Sequence, residues 1–397
     1  MTAPVPPAQG PMAGVKVVDL SQIYNGPYAT FLMASAGAEV IKVEPEGGES
    51  LRRRGVVGGA ALPFAMLNGG KRSVVLNLKD PEGKAALEAL AREADVLVEN
   101  FAPGVMERLG LGAERLREMN PRLIYASSSG FGTDGPYREY PAMDLTMQAM
   151  CGVMATTGFP DRPPVKAGPA LCDFFAGTHL FSAIATALFE RERTGVARQV
   201  HVTMQDAVYP ALASSLGMAW GMQRREDAPP PRTGNRHGGL AEAPYNVYPT
   251  SDGWLAIICV RDAHWQNLAK VMGRPDLVDD PRYASLKDRV ERIDEIDALV
   301  ADWTGKRPKE EAFQALMAAR VPCAPVRDLE EVMDDPNMHA RGSLRWEEHP
   351  EFGRVVLMAS PLRFAGVEAR PLAPSRTLGA DTEAVLAEIA DRAERTA

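Results

Sequence analysis

The chain has 397 residues, of which 45% are hydrophobic and 24% charged, and its formal net charge is -8. Length and apolar content point to a soluble globular protein of two domains, and the acidic balance excludes a broad nucleic-acid or anionic-membrane surface, which needs concentrated positive charge. The four cysteines, Cys151, Cys172, Cys259 and Cys323, lack Cys-x-x-Cys spacing and the six histidines form no His-Glu-x-x-His helix, so a reducing, cytoplasmic setting and a metal-free protein are expected.

The opening eleven residues carry four prolines and no positive charge ahead of an apolar stretch, which reads as a flexible leader rather than a secretion signal. From Val15 short β-branched runs alternate with helical patterns: VKVVDL (15–20), a helix near Tyr28 to Ser35 stopped at Gly37, then AEVIKVE (38–44). The alternation repeats in SVVLNL (73–78), a helix opened by Asp80 as N-cap with Pro81 at its first position, DVLVENF (95–101) and RLIYASS (122–128). Crossovers of this length predict an α/β fold with a Rossmann-like, doubly wound parallel sheet, whose ligands sit beyond the carboxyl ends of the strands. The longest apolar run, around Leu180 to Phe189, is far short of a membrane span.

After RQVHVTM (198–204) and the helix MQDAVYPALASSLGMAW the pattern changes, and Gln223 to Arg236, rich in Arg, Pro and Asp, reads as a connector. Tyr245 to about Ala319 holds one strand signal, GWLAIICV, and several helices, among them an amphipathic one near Arg289 to Trp303, which predicts a smaller α+β domain. The tail returns to a strand in RVVLMASPLRF (354–364) and closes with a helix from about Asp381. The expected partition is a large domain over 1–200 completed by 345–397, a linker at 201–224, a small domain at 225–330 and a second linker at 331–344.

Glu44 ends the second strand where a dinucleotide-binding protein would hold a ribose, but the turn after Leu20 reads SQIYNGP instead of G-x-G-x-x-G, so Glu44 is taken as structural. Basic residues at Arg52-Arg53-Arg54 and Lys71-Arg72, with Lys79 and Arg108 near later strand ends, fit either a solvated surface or phosphate contacts. Asp173, in AGPALCDFFAGTHLFSAIATALF, stands just before a strongly apolar helix and suits both an N-cap and a nucleophile that the helix dipole keeps ionised. His179 reads as a hydrogen-bonded core or interface histidine rather than its base. Ser127 to Ser129 before Gly130 lack the G-x-S-x-G elbow and read as a strand end beside a ligand cleft.

Together the segments GAEVIKVEP (37–45), NGGKRSVVLNLK (68–79), VENFAPGVMERLGL (98–111), ATTGFPDRPP (155–164), the Asp173 stretch and MQDAV (204–208) resemble the class III CoA-transferase family (the CaiB/BaiF type), and within it the formyl-CoA:oxalate branch, from about Met12 onward. The resemblance implies a homodimer of interlocked ring-shaped subunits, each with a large Rossmann-like and a small domain. Coenzyme A would be co-substrate, an acyl-CoA the donor and a carboxylic acid the acceptor, with no metal, nucleic acid or membrane involved. Asp173 matches the family's catalytic aspartate. Tyr24, Asn25, Leu76, Asn77, Lys79, Asn100, Phe101, Ala102, Arg108, Ser128, Ser129, Gly130 and Phe131 match positions that contact CoA. Arg72 or Arg52 to Arg54 would replace a nucleotide-binding arginine where this chain has Pro45, and Gly238 and Gly239 would supply backbone donors to developing oxyanions.

Departures from that branch are Ser129 for Lys, Phe131 for Tyr, and His237-Gly238-Gly239 for a longer glycine string, which leaves the two acids open, with oxalate, succinate and acetate as examples. Arg232 and Arg236 suit either a second carboxylate or a solvated connector. A racemase branch of the family places a His before an Asp in the stretch matching Pro141 to Thr146, where this chain has Met143 and Asp144, so transfer is favoured over racemisation and over CoA binding without catalysis.

Overall fold

A computed structural model describes residues 10–53, 62–222, 231–367 and 372–396. Most of the leader, Arg54 and residues 223–230 of the expected connector lie outside the described residues. In chain order the elements are β1 (Lys16–Asp19), α1 (Asn25–Ser35), β2 (Glu39–Glu44), α2 (Ser50–Arg53), α3 (Leu62–Asn68), β3 (Arg72–Val75), α4 (Pro81–Glu93), β4 (Val96–Glu99), α5 (Val105–Arg108), α6 (Ala113–Met119), β5 (Ile124–Ser129), α7 (Asp144–Met150), α8 (Val153–Thr156), α9 (Leu171–Thr194), β6 (Gln199–Thr203), α10 (Met204–Val208) and α11 (Ala213–Met222). There follow β7 (Tyr245–Pro249), β8 (Trp254–Ile258), α12 (Asp262–Val271), α13 (Leu286–Glu291), α14 (Ile293–Thr304), α15 (Lys309–Ala318), β9 (Cys323–Pro325), α16 (Leu329–Met333), α17 (Pro336–Ala340), β10 (Leu344–His349), β11 (Gly353–Met358) and α18 (Thr382–Thr396).

Two compact units result, one from 1–147, 169–209 and 333–397, the other from 148–168 and 210–332. The segment 148–168, read above as part of 1–200, thus falls in the second unit, where the Gly234 amide donates to the Gly158 carbonyl at 2.9 Å. In the first unit six parallel strands run in the order β3-β2-β1-β4-β5-β6. The strand order reverses between β1 and β4, the switch point at which such sheets open a crevice. Val96, Leu97 and Val98 of β4 are all fully buried, as a central parallel strand requires. One face packs on α4, α6 and α18 around Leu87, Leu97, Leu116 and Val385. The other packs on α1 and α9 around Met33, Val98, Leu180 and Ile184.

Each helix of this unit follows from local chemistry. Pro81 starts α4 with no amide to lose and Asp80 sits extended at its N-cap, although the Asp80 carboxylate accepts from Asn77 Nδ2 (2.7 Å) rather than from the helix. α9 runs 24 residues, is apolar enough by length and composition to cross a membrane, and thereby exceeds the short run visible in the sequence; Cys172, Ala176, Leu180, Ile184 and Leu188 put one face into the core. α18 seals the sheet edge, because Asp381 Oδ2 accepts the Ser73 amide (2.9 Å) and Thr382 Oγ1 accepts the Val75 amide (3.0 Å).

The long helix expected at 204–220 is broken at Pro210 into α10, a single 3₁₀ turn and α11, since proline has no amide to continue the ladder. In the second unit an antiparallel sheet, β7-β8-β9, supports α12, α14 and α15 over a core that includes Trp265, Ile296 and Leu316. The amphipathic stretch 289–303 is two helices, α13 and α14, parted at Arg292. The sequence reading missed β7, which ends in proline, and β9, which is three residues long. It also missed β10, whose hairpin partner β11 was expected.

Candidate active site

Beyond the carboxyl ends of β1, β4, β5 and β6, all within the first unit, lies a cavity of about 310 Å³. Asn25, Ser128, Ser129, Gly130 and Asp173 line it, as do Asn100, Phe101 and Ala102 from the loop after β4. Among the described residues that line it none is Lys or Arg.

Asp173 is the third residue of α9, not its N-cap; that place belongs to Ala170, which offers no side-chain hydrogen bond. The cap comes from a distant residue, because Asp144 Oδ1 accepts the amides of Cys172 (2.8 Å) and Asp173 (3.4 Å). Asp173 is 9% exposed, and among the described residues none donates a hydrogen bond to its carboxylate. Burial, and then the charge on Asp144, push its pKa up to about 7. The expectation that the helix end keeps this group well ionised is therefore corrected: desolvation outweighs a dipole whose amides already serve another carboxylate.

Close packing fixes the floor of the cavity. Phe174, next to Asp173, stacks on Tyr24 with centroids 5.7 Å apart and meets Tyr28 edge-on at 5.1 Å. A Cβ at Gly177 would come within 2.5 Å of the Asn25 carbonyl oxygen, so only glycine lets α9 approach α1 this closely. Asn25 Nδ2 donates to Ser128 Oγ at 2.8 Å, and Ser128 Oγ donates to the Val202 carbonyl at 2.9 Å. The Asn100 side chain closes on the Gln22 backbone twice, at 2.7 and 2.8 Å, tying the loop after β4 to the loop after β1.

Other expected residues fall elsewhere. Tyr24 is the N-cap residue of α1 and stacks on Phe174 without lining the cavity. Phe131 packs edge-on against Tyr137 (5.8 Å) and Tyr140 (6.0 Å), and Tyr140 is itself at the rim. Leu76 is core, and Asn77 Oδ1 accepts the Lys79 amide at 3.1 Å. Lys79 is exposed on the loop that follows β3, and Arg108 is exposed at the end of α5, the short helix after β4. Arg72 lies at the amino end of β3, held by Glu388 (2.7 and 3.0 Å) and Glu39 (3.4 Å), away from the cavity; Lys71 is fully buried against Asp19 (3.0 Å), and Arg52 is bidentate to Glu44 (2.8 and 2.9 Å). The phosphate reading of these three is corrected accordingly, since each cation already has a carboxylate. The structural reading of Glu44 stands beside it, as the partner of Arg52.

Gly238 and Gly239 belong to the second unit, where the Gly239 amide donates to His237 Nδ1 at 3.2 Å. In that unit Arg236 pairs with Asp294 (2.6 Å) and Asp297 (2.7 Å), and Arg232 Nε donates to the Phe159 carbonyl (3.4 Å). His179 is exposed on α9, its Nδ1 2.8 Å from the Phe175 carbonyl oxygen, as a satisfied rather than a catalytic histidine would be. Among the described residues no group of His, Cys, Asp and Glu is arranged to hold a metal ion.

Four cavity features escaped the sequence reading. Asp144 was noted only for the missing histidine before it, yet it caps α9. Ile23 lines the cavity with φ 66°, a left-handed conformation costly for a β-branched residue. Its amide donates to Glu49 Oε2 at 3.2 Å, and Glu49, 2% exposed, also accepts from Leu51 (3.1 Å). His201 of β6 bridges Ser127 (2.8 Å from Nδ1) and Ser129 (3.2 Å from Nε2), and burial lowers its pKa. The β5 and β6 register is the only signal that could have found it.

Comparison with known proteins places this arrangement. A family model described as CoA-transferase family III matches residues 12–382. The chain is 40% identical over 379 residues to the acetyl-CoA:oxalate CoA-transferase of Acetobacter aceti, covering 94% of each. It is 37% identical over 403 residues to the succinate–glutarate CoA-transferase of Agrobacterium fabrum, covering 99% of each. Its fold superposes on a CaiB/BaiF family protein from Brucella suis with a TM-score of 0.84 at 34% identity, covering 96% of this chain and 99% of that one.

Proposed function

The chain belongs to CoA-transferase family III, and we propose that it moves coenzyme A from an acyl-CoA thioester to a small mono- or dicarboxylic acid through covalent intermediates on Asp173. The observation that carries this reading is a buried carboxylate with no hydrogen-bond donor among the described residues, facing a cavity at the switch point of a parallel sheet.

In the first step a carboxylate oxygen of Asp173 attacks the thioester carbonyl; a C–O bond forms, the C–S bond breaks, and CoA leaves as the thiolate. The thiolate then attacks the aspartyl carbonyl of the mixed anhydride, releasing the donor acid and leaving an aspartyl-CoA thioester. The acceptor carboxylate runs the same two steps in reverse. No proton is consumed, and thioester and carboxylate stand on both sides, so little net driving force is needed. Developing oxyanions would be held by backbone N–H groups.

A cavity with no Lys or Arg among the described residues that line it suits the acyl end of the substrate, while the exposed Lys79 and Arg108 suit the phosphates of CoA. The relatives' acids, oxalate, succinate and glutarate, support a small dicarboxylate as acceptor or donor. A homodimer in the cytoplasm belongs to the same reading and rests on the family resemblance. Met143, which lines the cavity where the racemase branch has histidine, removes one of the two groups that α-proton exchange requires.

Trapping with hydroxylamine during turnover, followed by peptide mass analysis, is expected to mark Asp173, and Asp173→Ala is expected to lose transfer by about three orders of magnitude or more. Undiminished transfer in that variant would sink the assignment. Exchange assays with succinyl-, acetyl- and formyl-CoA against a panel of acids identify the two substrates.

A further inference from the structure

The first turn of α9 disposes of its amides in an unusual way. A helix ordinarily leaves its first N–H groups to a capping side chain and to any carboxylate in the first turn, and both steady an aspartate placed there. Here the cap residue is Ala170, and the Leu171 amide is taken by the Pro169 carbonyl at 2.9 Å. The next two amides, of Cys172 and Asp173, go to Asp144 Oδ1, and the Phe174 amide makes the first bond within the helix, to Ala170 at 3.2 Å. No donor of the turn remains for the Asp173 side chain, and Asp144 lines the same cavity as Asp173.

Resting on the reading of Asp173 as the nucleophile, we infer that Asp144 is a positioning residue that keeps the Asp173 carboxylate strongly nucleophilic, by occupying the amide donors at the start of α9 and by holding a like charge beside it. A carboxylate stabilised by amides and a helix dipole is a weak base and a weak nucleophile. One deprived of both, beside a second carboxylate and out of water, holds its electron pair in readiness for a carbonyl carbon. Among the described residues of the elements packed against α9, none on α1, β5, β6 or α10 is Lys or Arg. Their titratable groups are Tyr24 and Tyr28 at α1, Tyr125 on β5, His201 on β6 and Asp206 on α10; the charge of Asp144, from α7, acts on Asp173, and burial keeps His201 toward its neutral form. The direction of the Asp173 shift, upward from burial and from Asp144, agrees with this geometry.

The test is the pH dependence of kcat/KM for the parent enzyme and for Asp144→Asn, which keeps an oxygen for the two amides and removes the charge. The parent is expected to show an acid limb near 7. Asp144→Asn is expected to move that limb down by about one pH unit or more while lowering the plateau, and Asp144→Glu, which restores the charge, to bring the limb back. A purely structural role would lower the plateau and leave the limb in place. If the asparagine variant does not fold, Asp144→Thr offers a neutral oxygen for the same comparison. An unmoved limb in a neutral variant whose Asp173 is still trapped by hydroxylamine overturns the inference about Asp144; absence of trapping at Asp173 in the parent overturns the nucleophile reading, and this inference with it.

Discussion

His201 on β6 holds two serines of the neighbouring strand at once, with Ser127 Oγ 2.8 Å from Nδ1 and Ser129 Oγ 3.2 Å from Nε2. The imidazole therefore fixes the hydroxyl that Ser129 presents to the cavity. Replacing it by alanine strands two partly buried hydroxyls, and a loss of about 1–3 kcal/mol in stability is expected from denaturant unfolding. A KM raised more than kcat is lowered would show that Ser129 contributes to binding. Because burial lowers the folded pKa below 6.5, the unfolded chain binds the proton more readily, so this histidine's contribution to stability is lost as pH falls below about 6.5.

Asp173→Asn should stabilise the protein in a pH-dependent manner. The folded carboxyl, with pKa raised from 3.8 to about 7, binds a proton more tightly than the unfolded one, so the parent loses stability as pH rises from about 4 to 7. Asparagine has no such cost. Melting curves are expected to show a gain for the variant that is small at pH 4, grows through pH 7 and then levels off, up to ~4 kcal/mol. A gain independent of pH would contradict the raised pKa.

Gly177→Ala probes the contact that sets the cavity floor. Its Cβ would lie 2.5 Å from the Asn25 carbonyl oxygen, a backbone atom that cannot swing aside. A loss of about 1–3 kcal/mol is expected in denaturant unfolding, with weaker substrate binding as Asn25 is displaced. Unchanged stability would mean that α1 and α9 slide apart at no cost.

Two kinds of arginine and lysine can be separated by experiment. Arg52→Ala leaves the Glu44 carboxylate buried without its bidentate partner and is expected to cost about 3 kcal/mol in stability. Lys79→Ala and Arg108→Ala remove exposed charges and should leave the melting temperature unchanged while raising KM for the CoA substrate. A reversed outcome would return phosphate binding to Arg52.

Much of this was legible in the sequence because β-branched runs and helical periodicity record burial directly. Five of the six parallel strands follow from that record, all but β6, and the loops after β1, β4 and β5 that line the cavity were named through the family resemblance. What could not be read depends on groups far apart in sequence. Asp144 and Cys172 are 28 residues apart, so nothing local reveals that one caps the other's helix. Lys71 and Arg72 look alike as a basic pair, yet the alternation of a strand start sends one inward to Asp19 and the other outward to Glu388. β9, at three residues, is too short to show a period and exists because β8 offers it an edge.

The placement of α18 has a consequence for how the protein is made. Ser73 and Val75 on the edge strand β3 wait for Asp381 and Thr382, more than 300 residues later, to satisfy their outward amides. Synthesis runs from the amino end, so during translation the whole of 210–332 leaves the ribosome before those partners exist. The second unit can complete its core while the first is still an open sheet with one bare edge. A chain cut short before Asp381 would keep every residue of the candidate site and still leave that edge available to another strand, so aggregation, more than loss of chemistry, is the damage a late stop codon would do.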